Sequence, residues 1–215
     1  MAYSMQRLAL ILAVTALPLA AYGAAPTEST STALAISTPV GAEFTATQPA
    51  AETPHAWHFG TELDVLPYAT RGYYGSFVVM HQGWRYRGVA ARSTLPSFMV
   101  SDGFNNKRTD AYALLADRFF GPHREQSRGM WVGGGAEYWR NRIRRDGFDE
   151  YAHYDNVVLT IGNGYVWQLS RHFYLNPWSA AHFIVAGDRS IKVSGKTYKQ
   201  SVFTPEASVK VGFTF

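Results

Sequence analysis

The chain has 215 residues, contains no cysteine and carries a formal net charge of +4. This length allows one domain or a domain with a tail, and the missing cysteines exclude a disulfide framework, a thiolate metal site and a lipid anchor on cysteine. Charged residues make up only 17% and aromatic residues 15%. The basic residues are scattered among acids without a Lys/Arg tract, so nucleic acid is not an expected partner.

The first predicted element is a secretory signal peptide over residues 1–25. Arg7 supplies a positive n-region, and Leu8–Ala21 is an apolar stretch of 14 residues. A membrane-spanning helix needs about 20 residues, so this stretch is too short to remain as one. Small residues allow cleavage after Gly23 or Ala25, following export through the secretion translocon.

Residues 26–56 are predicted to form a disordered periplasmic linker. They are rich in Thr, Ala, Ser and Pro and contain almost no charged or aromatic residue. Such a composition cannot bury enough apolar surface to offset the entropy lost on ordering. The folded domain is therefore assigned to residues 57–215.

Period-two alternation runs through residues 57–215 and predicts an all-β domain. In the last segment Val211, Phe213 and Phe215 share an apolar face, while Lys210 and Gly212 lie on the opposite, polar face. No apolar run is long enough for a transmembrane helix. Eight strands are predicted: Trp57–Val65, Tyr73–Met80, Trp84–Arg92, Asp110–Phe119, Met130–Trp139, Val157–Trp167, Phe173–Val185 and Phe203–Phe215.

The links between these strands alternate in length. Three short links, predicted to be periplasmic turns, are His81–Gly83, Phe120–Gly129 and Gln168–His172. The other four, predicted to be outer loops, are Leu66–Gly72, Ser93–Thr109, Arg140–Asn156 and Ala186–Val202. Long outer loops alternating with short turns are typical of an up-and-down membrane barrel with a periplasmic N-terminus. The last loop is expected to contain a small hairpin of Ile191–Val193 and Thr197–Lys199, and Pro177 is expected to cause a bulge or break.

With this signal peptide, these alternating segments and the closing VKVGFTF, the chain resembles the small eight-stranded outer-membrane barrels of Gram-negative bacteria, of the OmpA-barrel, OmpX and OmpW types. The resemblance is one of architecture, and no motif assigns the chain to a family of known activity. It implies an eight-stranded antiparallel transmembrane β-barrel in the outer membrane. Val211, Phe213 and Phe215 look like the signal that the barrel-assembly machinery reads in such proteins.

Charged residues on the faces assigned inward are the candidate site residues. We interpret them as a salt-bridged polar network that fills the lumen, because an eight-stranded barrel is just wide enough for side chains. Nearby glycines are interpreted as making room for Trp131, Trp139 and Trp178. The network is Glu62, Asp64, Arg85, Arg87, Asp117, Glu137, His182, Glu206 and Lys210.

Catalysis and metal binding find little support in the sequence. The lipid A deacylase type of barrel uses a His-x-Ser pair with a carboxylate, and no histidine here is followed two residues later by Ser. Ser179 and His182 are three residues apart, which places them on opposite faces of a strand. Histidine spacing fits no zinc site. No enzymatic activity, cofactor or metal is therefore predicted, although a different constellation of loop residues stays open.

The leading functional prediction is a structural or surface-interaction barrel, expected to be a monomer. The alternatives are a narrow channel or porter for small solutes, a lipid A-modifying enzyme, and a soluble secreted barrel with the apolar face inward. Basic residues in or beside the outer loops are expected to meet the phosphates of lipopolysaccharide. They are Lys107, Arg108, Arg142, Arg144, Arg145, Arg189, Lys192 and Lys196.

Overall fold

The computed structural model describes residues 56–215, so the predicted signal peptide and all but the last residue of the predicted linker lie outside it. Ten strands are present in this region, with one short helix, α1 (Val65–Ala69), between the first two. No helix among the described residues is long and apolar enough to cross a membrane. The strands are β1 (His58–Asp64), β2 (Tyr73–His81), β3 (Trp84–Thr94), β4 (Phe104–Phe119), β5 (Gly129–Arg145), β6 (Tyr151–Gln168), β7 (Phe173–Gly187), β8 (Ser190–Val193), β9 (Lys196–Lys199) and β10 (Phe203–Thr214).

Eight of these strands close into an antiparallel barrel in the order β1-β2-β3-β4-β5-β6-β7-β10, with β10 paired to β1. The eight predicted strands and their order are thus confirmed. Each strand pairs with its sequence neighbours, which is the simplest route to a sheet without edges. One end of the barrel, the short-turn end, carries the connection Gln82–Gly83 and two others of modest length. The opposite end, the long-loop end, carries α1 and the β8–β9 hairpin.

The strands around β5 extend further toward the long-loop end than the sequence pattern predicts. β4 begins at Phe104 instead of Asp110, β5 continues to Arg145, and β6 begins at Tyr151. The expected loop between β5 and β6 is therefore mostly strand. Most outward side chains of these extensions are charged or polar, and this polarity resembles that of a loop. On the inward face Phe104, Ile143 and Tyr154 are apolar, whereas Lys107, Asn141 and Asn156 are buried polar residues.

Large apolar side chains form a belt around the outside of the barrel. Phe77, Leu114 and Ile161 are 50%, 76% and 57% exposed. A soluble domain rarely exposes so continuous an apolar surface. Aromatic side chains gather at the short-turn end of the belt, in the manner of an interfacial girdle: Phe59, Trp84, Trp167, Phe173, Phe213 and Phe215. This arrangement contradicts the soluble alternative, which requires the apolar face to be inside.

A second apolar cluster, which we call the loop-end cap, closes the long-loop end. The β8–β9 hairpin has the predicted position, and its turn residues Ser194 and Gly195 both have positive φ (44° and 81°), as a tight type I′ turn requires. Hairpin side chains pack against the extensions of β4, β5 and β6. The buried members of the cap are Val100, Phe104, Ile143, Tyr154, Ile191, Val193 and Tyr198.

Two register shifts interrupt the ladders, and neither lies at Pro177. β7 runs through Pro177 in constant register, with Pro177 opposite Val209 of β10, so no bulge forms there. The local break that was the other predicted outcome is present on the β6 side only, where the pairs between Gly164 and Trp167 are missing. The register shifts instead near Val157 of β6 and between Asn105 and Arg108 of β4.

Candidate functional site

All nine charged residues predicted for the lumen lie with their side chains inside the barrel. The most exposed is Glu206, whose side chain is 35% exposed, because it lies near the long-loop end. The nine side chains divide into three groups at different depths. Four side chains close the middle of the lumen and two more lie beside these four. The remaining three line the barrel wall on the long-loop side of them.

The four charged side chains that close the lumen are called here the salt-bridge plug: Glu62, Arg85, Arg87 and Asp117. Arg85 donates from Nη1 to Glu62 Oε1 at 2.9 Å and from Nε to Asp117 Oδ2 at 2.8 Å. Arg87 Nη2 donates to Asp117 Oδ1 at 2.9 Å. Arg85 and Asp117 face each other directly across the β3–β4 ladder. Since all four are at most 4% exposed, each charge depends on its partners for stabilisation.

Aromatic and amide side chains enclose the plug. The Arg85 guanidinium lies over the Trp131 ring, with 4.7 Å between the guanidinium carbon and the ring centroid. Trp131 Nε1 donates to Asn176 Oδ1 at 2.9 Å, and Asn176 Nδ2 donates to Glu62 Oε1 at 3.0 Å. Gly164 makes room for the indole, since a Cβ there would lie 2.7 Å from the Trp131 ring. The plug is thus held in place by neutral side chains from β5 and β7.

Asp64 and Lys210 lie beside the plug and are bound by different neighbours. Asp64 accepts hydrogen bonds from Ser208 Oγ at 2.5 Å, Trp178 Nε1 at 2.8 Å and the Leu66 backbone N–H at 3.0 Å. Lys210 Nζ lies 3.5 Å from the centroid of the Trp178 ring. The carboxylate of Asp64 also caps α1 through its bond to Leu66, so it links the lumen to the first loop.

The third group is built around His182. Its Nε2 lies 3.0 Å from Glu206 Oε2, and its Nδ1 lies 3.2 Å from Glu137 Oε1 and 2.8 Å from Thr160 Oγ1. Glu137 also accepts from Thr160 Oγ1 and, at 2.6 Å, from Trp139 Nε1. Each ring nitrogen of His182 therefore faces a carboxylate, and Ser179, on the outer face, is not among its partners.

Two separate cavities lie on either side of the plug. The cavity at the short-turn end has a volume of about 220 Å³ and reaches Arg85, whereas the cavity at the long-loop end has about 410 Å³ and reaches Arg87. The larger one, called here the long-loop cavity, is bounded by small side chains such as Ala111 and Ala113. The prediction of a lumen filled by polar side chains is therefore wrong for this half, because alanine and glycine leave its centre open.

The predicted assembly residues lie on the outer surface of the closing strand. Val211 and Phe215 are 38% and 63% exposed. The Phe213 ring packs edge-on against Phe173, with 5.0 Å between ring centroids. The backbone N–H of Phe215 donates to the Phe59 carbonyl oxygen at 3.0 Å, which brings the end of the chain to β1. Recognition of these residues during assembly remains a prediction.

Several lumen residues were not singled out from the sequence. These are Asn176 and Tyr174, which bind Glu62, and Thr160, which binds Glu137. All three are neutral, and the sequence pattern indicated only that their side chains point inward. Lys107 was expected in a loop, yet it is buried inside β4. Among residues 56–215, no three His, Asp or Glu side chains are placed to hold a metal ion.

The closed eight-stranded antiparallel barrel, its apolar outer belt and its charged lumen define a small outer-membrane β-barrel. A major outer membrane protein from Thermus thermophilus has a similar fold, with a TM-score of 0.52 and 11% identity over 75% of this chain and all of that one. Two further matches are Neisserial surface protein A (TM-score 0.48, 12% identity, 74% and 97% of the chains) and the N-terminal β-barrel domain of Pseudomonas aeruginosa OprF (0.44, 15%, 74% and 94%). No protein-family model and no curated protein sequence matches the chain.

Proposed function

We propose that this outer-membrane barrel has a structural or surface-interaction role and does not conduct solutes or catalyse a reaction. Its long-loop end faces the outside of the cell and its short-turn end faces the periplasm. It enters the membrane as a monomer after export through the secretion translocon and insertion by the barrel-assembly machinery. The outward positions of Val211, Phe213 and Phe215 support this route.

The observation that carries the proposal is the salt-bridge plug. Arg85 bridges Glu62 and Asp117 across the lumen, and the side chains of all three residues are fully buried. An ion that crosses this level would have to displace an arginine from two carboxylates. Breaking a buried ion pair by removing one partner typically costs about 3–5 kcal/mol. The resting lumen is therefore closed to ions and small solutes.

The His182 group supports a non-catalytic role. A serine- or threonine-based nucleophile needs a neighbouring histidine nitrogen that is free to accept its proton. Each nitrogen of His182 instead lies within about hydrogen-bond distance of a carboxylate, Glu137 on one side and Glu206 on the other. Carboxylates only accept hydrogen bonds, so both nitrogens act as donors. Thr160 therefore has no free histidine nitrogen beside it, and it donates instead to Glu137, whose carboxylate is also bound by His182 and Trp139.

The outer rim offers a surface for anionic partners. Arg108 lies directly opposite Arg142 on the outward face, and like charges in this position repel each other. Arg140 and Arg144 occupy the flanking outward positions of β5. Phosphate groups of lipopolysaccharide would neutralise this rim through charge-assisted hydrogen bonds. Lipopolysaccharide is accordingly the proposed surface partner.

The closed lumen is tested by recording currents across planar lipid bilayers. Protein whose folded state has been verified by its gel mobility before and after heating should give no discrete current steps. The variant Arg85→Ala/Asp117→Ala removes one charge of each sign from the plug and should give measurable steps. Regular steps from the unaltered protein would contradict the proposal.

A narrow porter is the second candidate, and the two cavities favour it. The plug and the aromatic side chains packed around it separate the cavity of about 220 Å³ from that of about 410 Å³. Current steps from the unaltered protein that grow on Trp131→Ala, or uptake of small sugars into vesicles, would support this alternative. Impermeable vesicles with fully folded protein would leave the structural role as the better account.

A further inference from the structure

The long-loop cavity combines an apolar wall with a buried lysine at its outer end. Lys107 is 9% exposed and lines this cavity. Within the described residues 56–215 it forms no hydrogen bond or ion pair, and its Nζ lies 5.8 Å from the centroid of the Tyr198 ring. A largely buried lysine whose ammonium group has no anion beside it is costly, so this position is suited to an anionic ligand.

Lys107 reaches the interior by the regular alternation of β4, in which Thr109 and Ala113 are buried on the same face. The irregularity of β4 lies directly beyond it. Asn106 has a positive φ of 48°, and the β4–β5 register shifts between Asn105 and Arg108, so that two residues of β4 lie opposite one residue of β5 in a β-bulge. Lys107 is therefore the last inward residue before the bulge, at the outer end of the cavity wall.

The electrostatic surroundings of Lys107 agree with this geometry. Lys107 lies above the apolar belt, since the first exposed apolar side chain below it on β4 is Tyr112. Burial alone lowers the pKa of Lys107 to about 8, and no carboxylate raises it again. An ordinary lysine has a pKa of about 10.4. The carboxylates of the lumen are therefore too distant to serve as its counter-ion.

The wall below Lys107 fits a slender apolar chain. Its inward residues on β4 are Thr109, Ala111, Ala113 and Leu115, and the segment from Lys107 to Leu115 spans about 26 Å along the strand. Ala111 and Ala113 face Ala91 and Val89 of β3. Volumes of about 300–1,000 Å³ are usual for ligand pockets, and this cavity has about 410 Å³.

We infer that the long-loop cavity binds one anionic single-chain amphiphile of the fatty-acid class, with its carboxylate on Lys107 and its chain along Ala111 and Ala113. The orientation follows from the charges. Glu137 lies opposite Ala113, deeper in the cavity, and would repel a carboxylate there. Of the two cations at the deep end, Arg87 is already bound to Asp117 and Lys210 lies against the Trp178 ring. The carboxylates of Glu137 and Glu206 are already bound by Thr160, Trp139 and His182, so they do not require the ligand.

The test uses 12-bromododecanoic acid, whose terminal bromine quenches tryptophan fluorescence. The full chain, folded in nanodiscs of zwitterionic lipid, is titrated with this acid. Trp131, Trp139 and Trp178 line the cavity and should give a saturable quenching component. Probe dissolved in the lipid quenches the outer tryptophans without saturation, so the two components are separable. The gel mobility shift verifies that every variant is folded.

Four variants and one analogue distinguish the outcomes. Lys107→Met should weaken saturable binding about tenfold, the value expected for one hydrogen bond to a charged group. Ala111→Phe fills the cavity and should abolish saturation, whereas Ala116→Phe, on the outer face of the same strand, should not. Lys192→Met, at an exposed lysine of the hairpin, should bind like the unaltered protein.

12-Bromododecanol has the same chain without the charge and should bind about tenfold more weakly than the acid. Equal affinity for the alcohol and the acid, or unchanged binding in Lys107→Met, would overturn the role of Lys107. Saturation that survives Ala111→Phe, or its absence in the unaltered protein, would overturn the site itself. The experiment is independent of conductance, because the plug lies below the cavity.

Discussion

Asp117 is the residue on which both arginines of the plug depend. It accepts hydrogen bonds from Arg85 and from Arg87 and is fully buried. Asp117→Ala should lower the free energy of unfolding by about 3–5 kcal/mol, because it leaves two buried cations with one carboxylate. Urea unfolding of protein folded into lipid vesicles measures this change. The control is Asp149→Ala, at an exposed ion pair with Arg144, which should change the free energy of unfolding little. Equal effects of the two substitutions would refute the importance of the plug.

Gly212 is a second position where a single substitution should disturb the packing, because an added Cβ atom would have no room. A Cβ at Gly212 would lie 2.0 Å from the Tyr174 ring, which is held by a hydrogen bond from its hydroxyl to Glu62 at 3.1 Å. Gly212→Ala should therefore destabilise the barrel by about 1–3 kcal/mol. Gly88→Ala, where a Cβ meets nothing within 4 Å, should be neutral or slightly stabilising in the same unfolding experiment. A neutral Gly212→Ala would show that the tyrosine can move aside.

For single residues, the sequence predicts which face of the strand a side chain occupies but not which groups it binds. Alternation alone puts Glu62, Arg85 and Asp117 inside, since a strand turns every second residue to the same side. Their mutual pairing depends on strand register, which no single segment contains. Lys107 was missed because the predicted strand begins only at Asp110, so the alternation that turns Lys107 inward was assigned to a loop.

The loop-end cap is the element next to the outer end of the cavity, where Lys107 faces the Tyr198 ring, and we expect it to limit access from outside. Ile191, Val193 and Tyr198 of the hairpin are buried against the strand extensions. Replacing residues 189–200 by a short Gly-Ser turn should leave a heat-modifiable barrel with an open mouth. The chain has no cysteine, so Thr109→Cys can report on access to the cavity.

Thiol labelling of Thr109→Cys should be slow with the hairpin and should approach the rate of an exposed site without it. Thr197→Cys on the exposed face of the hairpin supplies that reference rate. Fast labelling of Thr109→Cys in the intact chain would show that the cap does not cover the cavity.

Strand number and order were predictable from sequence, whereas strand ends were not. Outward apolar side chains recur at every second residue in each strand that crosses the membrane. The sequence pattern therefore identifies all eight membrane-spanning strands. Beyond the belt the outward residues meet water and become polar, as in Arg140–Arg145, and the pattern no longer differs from a loop. The break that Pro177 predicts is present on the β6 side of β7 only, because a missing donor affects one of the two ladders in which a strand takes part.

The whole molecule is asymmetric, with low walls at β1 and β2 and high walls from β4 to β7. In the proposed orientation the high walls and the cap project from the cell. Thr197→Cys, at the cap, should then react with a membrane-impermeant thiol reagent in intact cells. Glu125→Cys, in the connection after β4 at the short-turn end, should react only after the outer membrane is broken. The reverse pattern would invert the orientation.

Overall topology was the most predictable property, and cavity shape the least. In the long-loop cavity Ala111 faces Ala91 and Ala113 faces Val89 across the β3–β4 ladder, and such pairings of small side chains appear only once the strands are aligned. The nine predicted side chains do lie inside the barrel, but they fill its middle and not its long-loop half.

The barrel closes where β1 meets β10, with Gly60–Asp64 paired to Lys210–Thr214. Every other strand pair can form as a local hairpin while the chain is still incomplete. This seam alone joins the two ends of the domain, and until it forms both strands present unpaired backbone groups to lipid, each at a cost of several kcal/mol. A chain truncated before Lys210 would keep the other seven strand pairs of the barrel and would still be an open sheet. Closure at this seam therefore requires residues 210–214, whatever has formed earlier in the barrel.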